Sequence, residues 1–446
     1  GLEGPVDGVI RRDPRAARDE RFDLVIVGAG IYGAAAALAA ARAGHRTLLL
    51  ERDDFGGATS WNSFRILHGG LRYLQRLDLV RFRESVVARS WFFDELPGVV
   101  EPLACLMPLY GEGVRRRATL GPALALNELL RRLWSSEAEL AALPGARLVP
   151  SADVVRRYPG VRRDGLRGGA LWFDGLLPQP QRALMEILRR AAAAGAVALN
   201  YLEATGWAIE DGRVTAVRAV DTLTGSEHEF RTALVLNCAG PWAAELVAAE
   251  DPALGAGFHR SLAFNLLLDH PLDSDVSVAI EPAGGGRTYF LHPMGDRTLA
   301  GTYHAPLSGS APAEPTEAQI EEFLADLREA SPGFEATSAD VRRVLAGVLP
   351  ARREGTAELS GRPLVHHAAA DGGPRGLHSV VGVKYTTAPL VAARAVTDLL
   401  GEGPAPSDPA AGPAVREVPG WPEFAALAAR DAAAAGALVE ALVEEE

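Results

Sequence analysis

Cysteine, positive charge and long apolar runs are all scarce in this chain of 446 residues. Its two cysteines, Cys105 and Cys238, are too few for a disulfide framework or a cysteine-ligated zinc site, so they favour buried core positions in a reducing compartment. The 57 acidic residues outnumber the 45 basic ones, and the net charge of −12 argues against a nucleic-acid partner. No apolar stretch reaches the ~20 residues that a transmembrane helix needs.

These absences indicate a cytoplasmic protein without a bound metal or a transmembrane segment, since no secretory leader is visible at the start of the chain. Peripheral contact with a membrane stays open. The length of the chain and its 48% of hydrophobic residues instead indicate a sizeable core, of the kind found in a large two-lobed protein.

What the chain does contain is an order of apolar patterns that predicts a nucleotide-binding lobe interrupted by a second lobe. A strand over 22–30, a helix over 31–44 and a strand over 45–51 form a βαβ unit. Further helices are expected at 76–95, 114–140, 178–194 and 316–330, with a hairpin over 212–230, a strand over 232–240, an antiparallel sheet within 258–305, and a strand, turn and helix over 376–400.

The predicted domain organisation follows from this order. Residues 1–20 are expected to form an extended lead-in. A Rossmann-type domain combines 21–100, 150–255 and 345–400, and a substrate or cap domain built on the antiparallel sheet combines 101–149 and 256–344. Residues 401–446 are expected to be a linker and a short C-terminal helix. The expected fold class is therefore α/β, with the two lobes interleaved along the chain.

The segment GAGIYG supplies glycines in the GxGxxG spacing between the first strand and the first helix. Gly28 makes the tight turn, Gly30 lets the backbone approach a pyrophosphate, and Gly33 lets the helix pack closely on the strand. The N–H groups at the helix N-terminus suit phosphate, and Glu51 at the end of the second strand can accept both ribose hydroxyls. These residues predict dinucleotide binding, but they do not distinguish FAD from NAD.

Four further segments carry a more specific signal: ATSWNSFRILHGGLRYL over 58–74, NCAGPWA over 237–243, AGVLP over 346–350 and VGVKYTT over 381–387. With them, residues 20–400 resemble the FAD-dependent glycerol-3-phosphate dehydrogenase family, within the D-amino-acid-oxidase-like flavoproteins. The resemblance implies a glutathione-reductase-like FAD-binding lobe, one non-covalently bound FAD, and oxidation of an anionic secondary alcohol by hydride transfer to flavin N5.

The resemblance also implies which residues surround the FAD. Small hydroxyl side chains donate to phosphate oxygens at short reach, and the N-terminus of the last helix stabilises negative charge on the flavin ring. Glycines let the backbone pass close to that ring. Beyond Gly28, Gly30, Gly33 and Glu51, the expected set is Arg52, Thr59, Ser60, Ser63, His68, Gly69, Gly70, Ala204, Ala239, Gly240, Trp242, Gly382, Lys384, Thr386 and Thr387.

On the substrate side, Arg72 and Tyr73 match the substrate-facing pair of the family, and an arginine there suits a phosphate or a carboxylate. The expected partner is a small anionic hydroxy compound. Quinone, oxygen and a partner protein all stay open as the electron acceptor. Candidates for the proton acceptor are His68, His292, His304 and Lys384. The motif favours His68, and Lys384 is interpreted as a positioning group.

Three departures from the family change the substrate side. Its Val-Arg-Pro, Gly-Thr-Thr-Asp and Ser-Ser-Lys read Val348-Leu349-Pro350, Gly301-Thr302-Tyr303-His304 and Ser63-Phe64-Arg65 here. We therefore place Tyr303, Leu349 and Arg352 at the substrate. Arg352 or Arg353 either replaces the guanidinium lost at Leu349 or is a solvated charge. Glycerol 3-phosphate is expected to be a poor substrate, and a larger or less charged hydroxy compound the preferred one.

Three other functions stay open. An amine or amino-acid oxidase of the same superfamily would use Arg72 as a carboxylate clamp. A non-catalytic flavin-binding sensor would bind FAD without being reduced by small alcohols or amines. A nicotinamide-dependent dehydrogenase would be colourless when purified. Anaerobic bleaching of the flavin by alcohols or by amines separates these functions.

Overall fold

The computed structural model describes residues 9–74, 77–110, 117–248, 251–255, 257–282, 285–307 and 313–401. The helix and nearly all of the linker that the sequence predicts over 401–446 lie outside these residues. The extended lead-in predicted over 1–20 is wrong in part, because helix α1 (Pro14–Arg18) forms there. Asp13 caps this helix by accepting a hydrogen bond from the Ala16 N–H, and a proline occupies its first turn.

The first sheet is built on short strands, and its central strands β1, β2 and β11 are fully buried. Its parallel part contains β1 (Leu24–Val27), β2 (Thr47–Leu50), β7 (Val197–Leu199), β11 (Val235–Asn237) and β18 (Leu377–Val381), while β17 (Leu364–His367) runs antiparallel at one edge. Their order is β17-β18-β11-β1-β2-β7. Helices α2 (Ile31–Arg42), α8 (Pro180–Ala193) and α12 (Ala388–Leu400) pack together beside it. This is the predicted Rossmann-type lobe.

A small antiparallel sheet packs against the first one. It consists of β8 (Leu202–Glu210), β9 (Arg213–Asp221) and β10 (Glu227–Arg231), and it contains the predicted hairpin over 212–230. Trp207, Val217 and Phe230 share one core cluster with Val25 and Leu48 of the parallel strands. The burial of these side chains holds β8 beside the end of β2, and so brings Ala204 to the same region as Glu51.

The second lobe is a large mixed sheet with the order β16-β12-β15-β14-β13-β4-β6-β3, and β5 also pairs with β6. Its strands are β3 (Ile66–Leu67), β4 (Glu101–Leu109), β5 (Arg147–Val149), β6 (Gly168–Leu176), β12 (Arg260–Leu268), β13 (Ser277–Ile280), β14 (Tyr289–Met294), β15 (Arg297–Pro306) and β16 (Val341–Pro350). β13 and β4 run parallel, and the other neighbours run antiparallel. One face packs on α11 (Glu317–Ala330) through Phe323, Leu324 and Leu327.

The remaining helices are α3 (Leu71–Leu74), α4 (Leu79–Glu95), α5 (Arg117–Trp134), α6 (Glu137–Ala142), α7 (Ser151–Arg157), α9 (Ala243–Ala248) and α10 (Pro252–Gly255). The single helix predicted over 114–140 is wrong: two helices form, because the Ser136 hydroxyl accepts the N–H of Glu139 and begins α6. No helix of the described chain has the length and hydropathy to cross a membrane. Cys105 and Cys238 are free and buried, as predicted.

The expected α/β fold class is confirmed. Two strands join a different lobe from the one that the sequence indicated. Within the predicted Rossmann-type segments, β3 pairs with β6, and β6 in turn pairs with β4 in the mixed sheet. The longer of the two is β6. Nearly all of its side chains are buried. A strand that is apolar on both faces gives no sequence signal for the sheet it joins, whereas an alternating strand does.

Candidate active site

A cavity of about 2340 Å³ is lined by residues of both large sheets. Most of the residues that the sequence analysis singled out lie in its wall: Gly28, Gly30, Glu51, Arg52, Thr59, Ser60, Ser63, His68, Gly70, Arg72, Tyr73, Ala204, Ala239, Gly240, Trp242, His304, Leu349, Arg352, Gly382, Lys384, Thr386 and Thr387. Five others, Gly33, Gly69, His292, Tyr303 and Arg353, do not line it. Segments distant in sequence therefore meet at one site.

The turn between β1 and α2 forms one end of the cavity. Gly28 has φ +95°, and a Cβ there would lie 2.7 Å from the carbonyl oxygen of Cys238, so only glycine fits without strain. Gly33 serves packing, since a Cβ would overlap the carbonyl oxygen of Gly28. The Glu51 carboxylate accepts the Ala29 N–H at 2.8 Å. Burial raises the pKa of Glu51, although the hydrogen bonds that the carboxylate accepts from backbone N–H groups oppose the shift. Turn, helix N-terminus and acid fit a dinucleotide.

Hydroxyl side chains continue the wall. The Ser60 hydroxyl accepts the N–H of Ile31 at 3.0 Å, and the Thr59 hydroxyl donates to the carbonyl of Val348 at 3.3 Å, which joins the turn to β16. The Ser63 hydroxyl is buried without a hydrogen-bond partner in the described chain, so it has a donor to offer a bound group. Nearby, the Arg52 guanidinium lies 3.7 Å from the centre of the Trp242 ring.

The segment before α12 forms the opposite wall. A Cβ on Gly382 would overlap the ring of Tyr32, whose hydroxyl donates to the Lys384 carbonyl at 2.8 Å. The Thr386 hydroxyl accepts the N–H of His68 at 3.2 Å. These contacts hold the helix N-terminus of α12 beside the His-Gly-Gly segment, which is the arrangement that the resemblance implies for the flavin ring.

His68 stands beside a buried carboxylate. Its Nδ1 lies 3.3 Å from Oδ2 of Asp174, and the neighbouring Gly69 N–H donates to Oδ1 at 2.7 Å. Asp174 also accepts a hydrogen bond from Arg89 at 2.6 Å. Burial alone would raise the pKa of Asp174, but its hydrogen bond with His68 and the charge of Arg89 lower it to about 2. Gly69 is required by packing here, since a Cβ would overlap the Arg89 guanidinium.

Cationic side chains gather around Tyr73. The Lys384 ammonium donates to the Tyr73 hydroxyl, and the Arg72 guanidinium donates to it at 3.4 Å. Burial would raise the pKa of Tyr73, but Lys384 and Arg72 together lower it, while burial lowers the pKa of Lys384 despite the hydroxyl beside it. Arg81 adds a third positive charge 5.8 Å from the ring centre. This part of the cavity suits an anionic group.

The substrate-side predictions differ in outcome. His304 lines the cavity, its Nδ1 has no hydrogen-bond partner among the described residues, and burial, with Arg287 and Arg72, lowers its pKa to about 4. The placement of Tyr303 at the substrate is wrong. Side chains alternate along β15, so Tyr303 points to the opposite face, where it packs against Phe264 and Phe323.

Leu349 lines the cavity from β16, where it pairs with the buried Ser261. Arg352 reaches the rim only. Its side chain is 67% exposed and forms an ion pair with Glu358 at 2.8 Å, as expected of a solvated charge. The proton-acceptor candidate His292 does not line the cavity. It is buried behind the wall, where its Nδ1 lies 2.7 Å from the Ser277 hydroxyl.

Sequence reasoning missed several cavity residues, namely Tyr32, Arg81, Asp174, Arg287 and Arg362. Only Asp174 had a usable signal. It is a carboxylate within an apolar strand, and a buried carboxylate requires a partner. The arginines stand in surface-like segments without a motif. Within the described ranges, no group of three or more His, Cys, Asp or Glu side chains could hold a metal ion.

Known proteins are similar to this chain in sequence and fold. Residues 23–399 match the family model "FAD dependent oxidoreductase". The chain is 32% identical over 375 residues to glycerol-3-phosphate dehydrogenase 1 of Mycobacterium bovis, covering 82% of this chain and 70% of the relative. It is 28% identical over 388 residues to glycerol-3-phosphate dehydrogenase of Synechocystis sp., covering 82% and 68%.

Among solved structures, glycerol-3-phosphate dehydrogenase from Bacillus halodurans complexed with FAD matches with a TM-score of 0.68 and 24% identity, over 94% of this chain and 73% of that one. This likeness supports the fold. The glycine turn, the acid after β2 and the unpartnered hydroxyl of Ser63 also fit the cofactor. The chain therefore belongs to the DAO family of FAD-dependent oxidoreductases.

Proposed function

We propose that this oxidoreductase acts on a small anionic secondary alcohol, as in glycerol-3-phosphate dehydrogenases. The supporting observation is that a histidine backed by a carboxylate and a cationic cluster, Arg72 with Lys384, line one cavity. When bound, FAD supplies a hydride acceptor at flavin N5. We also propose that Glu51, Ser60, Ser63 and the α12 N-terminus hold it, since these groups line the wall and Ser63 has a free donor.

The protein's own residues perform two tasks in this proposal. Arg72 holds the anionic group of the substrate with its planar donors, and Tyr73 and Lys384 complete that end of the cavity. His68 accepts the proton of the substrate hydroxyl, because its exposed ring edge faces the cavity. His304, whose pKa is about 4, is neutral at pH 7 and offers a hydrogen bond rather than a charge.

An amine or amino acid as substrate is the alternative. It would place an amino group where Lys384 and Arg81 already concentrate positive charge, which disfavours the protonated form. Adding alcohols and amines of matched size to the anaerobic holoenzyme and following loss of the flavin absorbance decides between them. Bleaching by an amino acid but by no hydroxy acid or phosphate would overturn the alcohol assignment.

A first prediction concerns Leu349. Leucine cannot form the charged hydrogen bond that the arginine of the family would form at this position on the substrate side of the cavity. Such a bond is worth about 1.5–3 kcal/mol. The native protein is therefore expected to use glycerol 3-phosphate poorly, and Leu349→Arg to raise kcat/KM for it by about 10- to 150-fold. Steady-state kinetics measures this. Arg353→Ala, an exposed arginine outside the cavity wall, is the control.

Efficient native turnover of glycerol 3-phosphate would contradict the altered substrate side. If Arg352→Ala then abolished that turnover, Arg352 would be the replacement for the missing guanidinium despite its ion pair with Glu358.

A second prediction concerns Gly28. Alanine at φ +95° strains the backbone by about 1–3 kcal/mol and presses on the carbonyl of Cys238, which displaces the turn. Gly28→Ala is expected to weaken FAD binding by about 5- to 150-fold. Gly98→Ala is the matched control, since Gly98 has φ +78° with open space around it. Absorbance of the purified protein, and flavin released by acid precipitation, give the FAD content; flavin retained by the precipitate would contradict non-covalent binding.

For localisation we propose a cytoplasmic protein that touches a membrane peripherally through one surface. Of the eleven large apolar side chains exposed in the described chain, six belong to it: Leu77, Leu79, Val80, Leu126, Leu129 and Leu133. Helix α5 buries Leu120 and Leu124 but exposes Leu126, Leu129 and Leu133, and it packs beside α3 and α4. In an otherwise acidic chain, the sequence over 114–134 carries five arginines and one glutamate, and of these Arg131 is buried and paired with Glu128. Apolar and basic character together suit an anionic lipid surface.

A third prediction tests that surface. The double variant Leu129→Glu with Leu133→Glu is expected to lower the affinity for phosphatidylserine-containing vesicles, measured by sedimentation, by about 10-fold or more. The reason is that burying each leucine side chain in lipid contributes ~1.5 kcal/mol or more to binding. Leu223→Glu, an equally exposed leucine in the turn after β9, is the control. Equal binding of both variants, or no binding of the native protein, would contradict the proposed contact.

A further inference from the structure

Four donors surround the carboxylate of Asp174, which lies on β6 and is 4% exposed. Oδ1 accepts the Gly69 N–H at 2.7 Å and the Arg89 guanidinium at 2.6 Å. Oδ2 accepts the indole N–H of Trp172 at 3.1 Å and lies 3.3 Å from Nδ1 of His68. Every partner of this carboxylate, other than His68, is an obligatory donor.

The charge on Asp174 is kept in place from behind. Arg89 is itself fully buried, and its other guanidinium nitrogen donates to Glu139 at 2.6 Å. Ser90 and Ser135 donate to the same Glu139 carboxylate, at 2.7 Å each. The buried guanidinium beside Asp174 favours the ionised form of that carboxylate, which agrees with the low pKa of Asp174.

We infer that Asp174 is a positioning residue that fixes the tautomer of His68, an inference that rests on the proposed role of His68 as proton acceptor. An ionised carboxylate has no proton to donate, so the hydrogen between it and the ring belongs to Nδ1. Nε2 then carries the lone pair. Because Nδ1 is turned toward the buried carboxylate, the half-exposed edge of the ring that lines the cavity carries Nε2.

The consequence for the reaction is a proton transfer with a defined direction. The O–H bond of the substrate breaks, the N–H bond at Nε2 forms, and the positive charge that develops on the ring is balanced by Asp174. The ring is kept in place by Phe290, whose centre lies 5.5 Å away. Arg89 and Glu139 act only through Asp174.

Asp174→Asn tests the tautomer directly. Its carbonyl oxygen is expected to face the two donors Gly69 and Arg89, which leaves the indole N–H of Trp172 without its acceptor. The NH₂ group then faces Nδ1 of His68 and requires a lone pair there. The variant is expected to hold His68 in the Nε2–H tautomer. NMR of the holoenzyme labelled with ¹⁵N-histidine reports the protonated nitrogen, and His68→Asn assigns the signal. Glu139→Gln alters the same buried network but leaves the carboxylate of Asp174, so the Nδ1–H tautomer is expected to persist.

Kinetics gives the second readout. Asp174→Asn is expected to lower the rate of flavin reduction at saturating substrate by about 10²- to 10⁴-fold, while the dissociation constant of the substrate changes by less than about 3-fold. A general loss of structure would change both. An Nε2–H tautomer in the native enzyme overturns the inference and needs no variant. If His68 takes the Nε2–H tautomer in Asp174→Asn but the rate of flavin reduction is unchanged, Asp174 does fix the tautomer of His68. That result would instead overturn the role of His68 as proton acceptor in the proposed function.

Discussion

Replacing His68 by asparagine is expected to slow oxidation of the substrate by about 10²- to 10⁴-fold, the usual contribution of a positioned proton acceptor. Asparagine retains an NH₂ group near the position of Nδ1, so the contact with Asp174 can persist and the buried carboxylate keeps its donors. What the variant loses is the lone pair at Nε2. The loss should therefore appear in the rate of flavin reduction and leave substrate affinity nearly unchanged. Stopped-flow absorbance over a substrate titration separates the two.

His304→Asn is the matched control, since both histidines line the cavity. The Nδ1 atom of His304 has no hydrogen-bond partner among the described residues, and burial and two arginines lower its pKa to about 4, so it is a poor base. A larger loss in His304→Asn than in His68→Asn would transfer the role of proton acceptor to His304. Normal FAD content in both variants shows that the cofactor-binding wall is intact.

Gly28 and Glu51, which the sequence singled out, lie in the cavity wall, and their positions depend on local geometry. Gly28 needs a positive φ, and Glu51 follows a buried strand at a fixed distance from the glycine turn. Both requirements belong to one continuous βαβ unit, so the spacing along the chain carries them. The His-Gly-Gly segment is similar. Only glycine fits at position 69, because a Cβ there would overlap the guanidinium of one buried arginine.

The residues that sequence reasoning misplaced depend on distant strands. Tyr303 and His304 are adjacent in sequence, and only the register of β15 against β12 decides which of them faces the cavity. A shift by one residue would exchange their positions, and no local pattern fixes that register. Asp174 meets His68 through the pairing of β3 with β6, which join segments more than a hundred residues apart.

The effect of Leu349 on substrate binding also depends on distant parts of the fold. Its motif is flavoprotein-like, and the structure confirms that its strand reaches the cavity, but the chemistry of the lost guanidinium has to come from elsewhere in the fold. Arg81, Arg287 and Arg362 line the cavity as well, and none of them lies in one of the four motif segments of the sequence analysis. Their presence keeps the substrate side cationic without restoring the family's fork at its usual place.

Arg72 is expected to contribute the largest part of substrate recognition. Its guanidinium is exposed in the structure and has no carboxylate partner in the described chain, so its donors are available to an anion that displaces water from the cavity. Arg72→Ala is expected to lower kcat/KM for the true substrate by about 30- to 5,000-fold, which corresponds to ~2–5 kcal/mol of transition-state binding. The FAD content is expected to stay unchanged, because the Arg72 guanidinium donates to Tyr73, whereas the groups proposed to hold FAD are Glu51, Ser60, Ser63 and the N-terminus of α12.

One further variant separates the charge of Arg72 from its geometry, and a second serves as a control. Arg72→Lys keeps the positive charge but loses the planar fork, so its kcat/KM should fall between those of the native enzyme and Arg72→Ala. Arg83→Ala removes an exposed arginine of α4 that does not line the cavity, and it should leave the kinetics unchanged. If Arg72→Ala kept the native kcat/KM with full FAD content, the anion would have to be held by Lys384 and Arg81. The substrate would then lie on the other side of Tyr73 from Arg72.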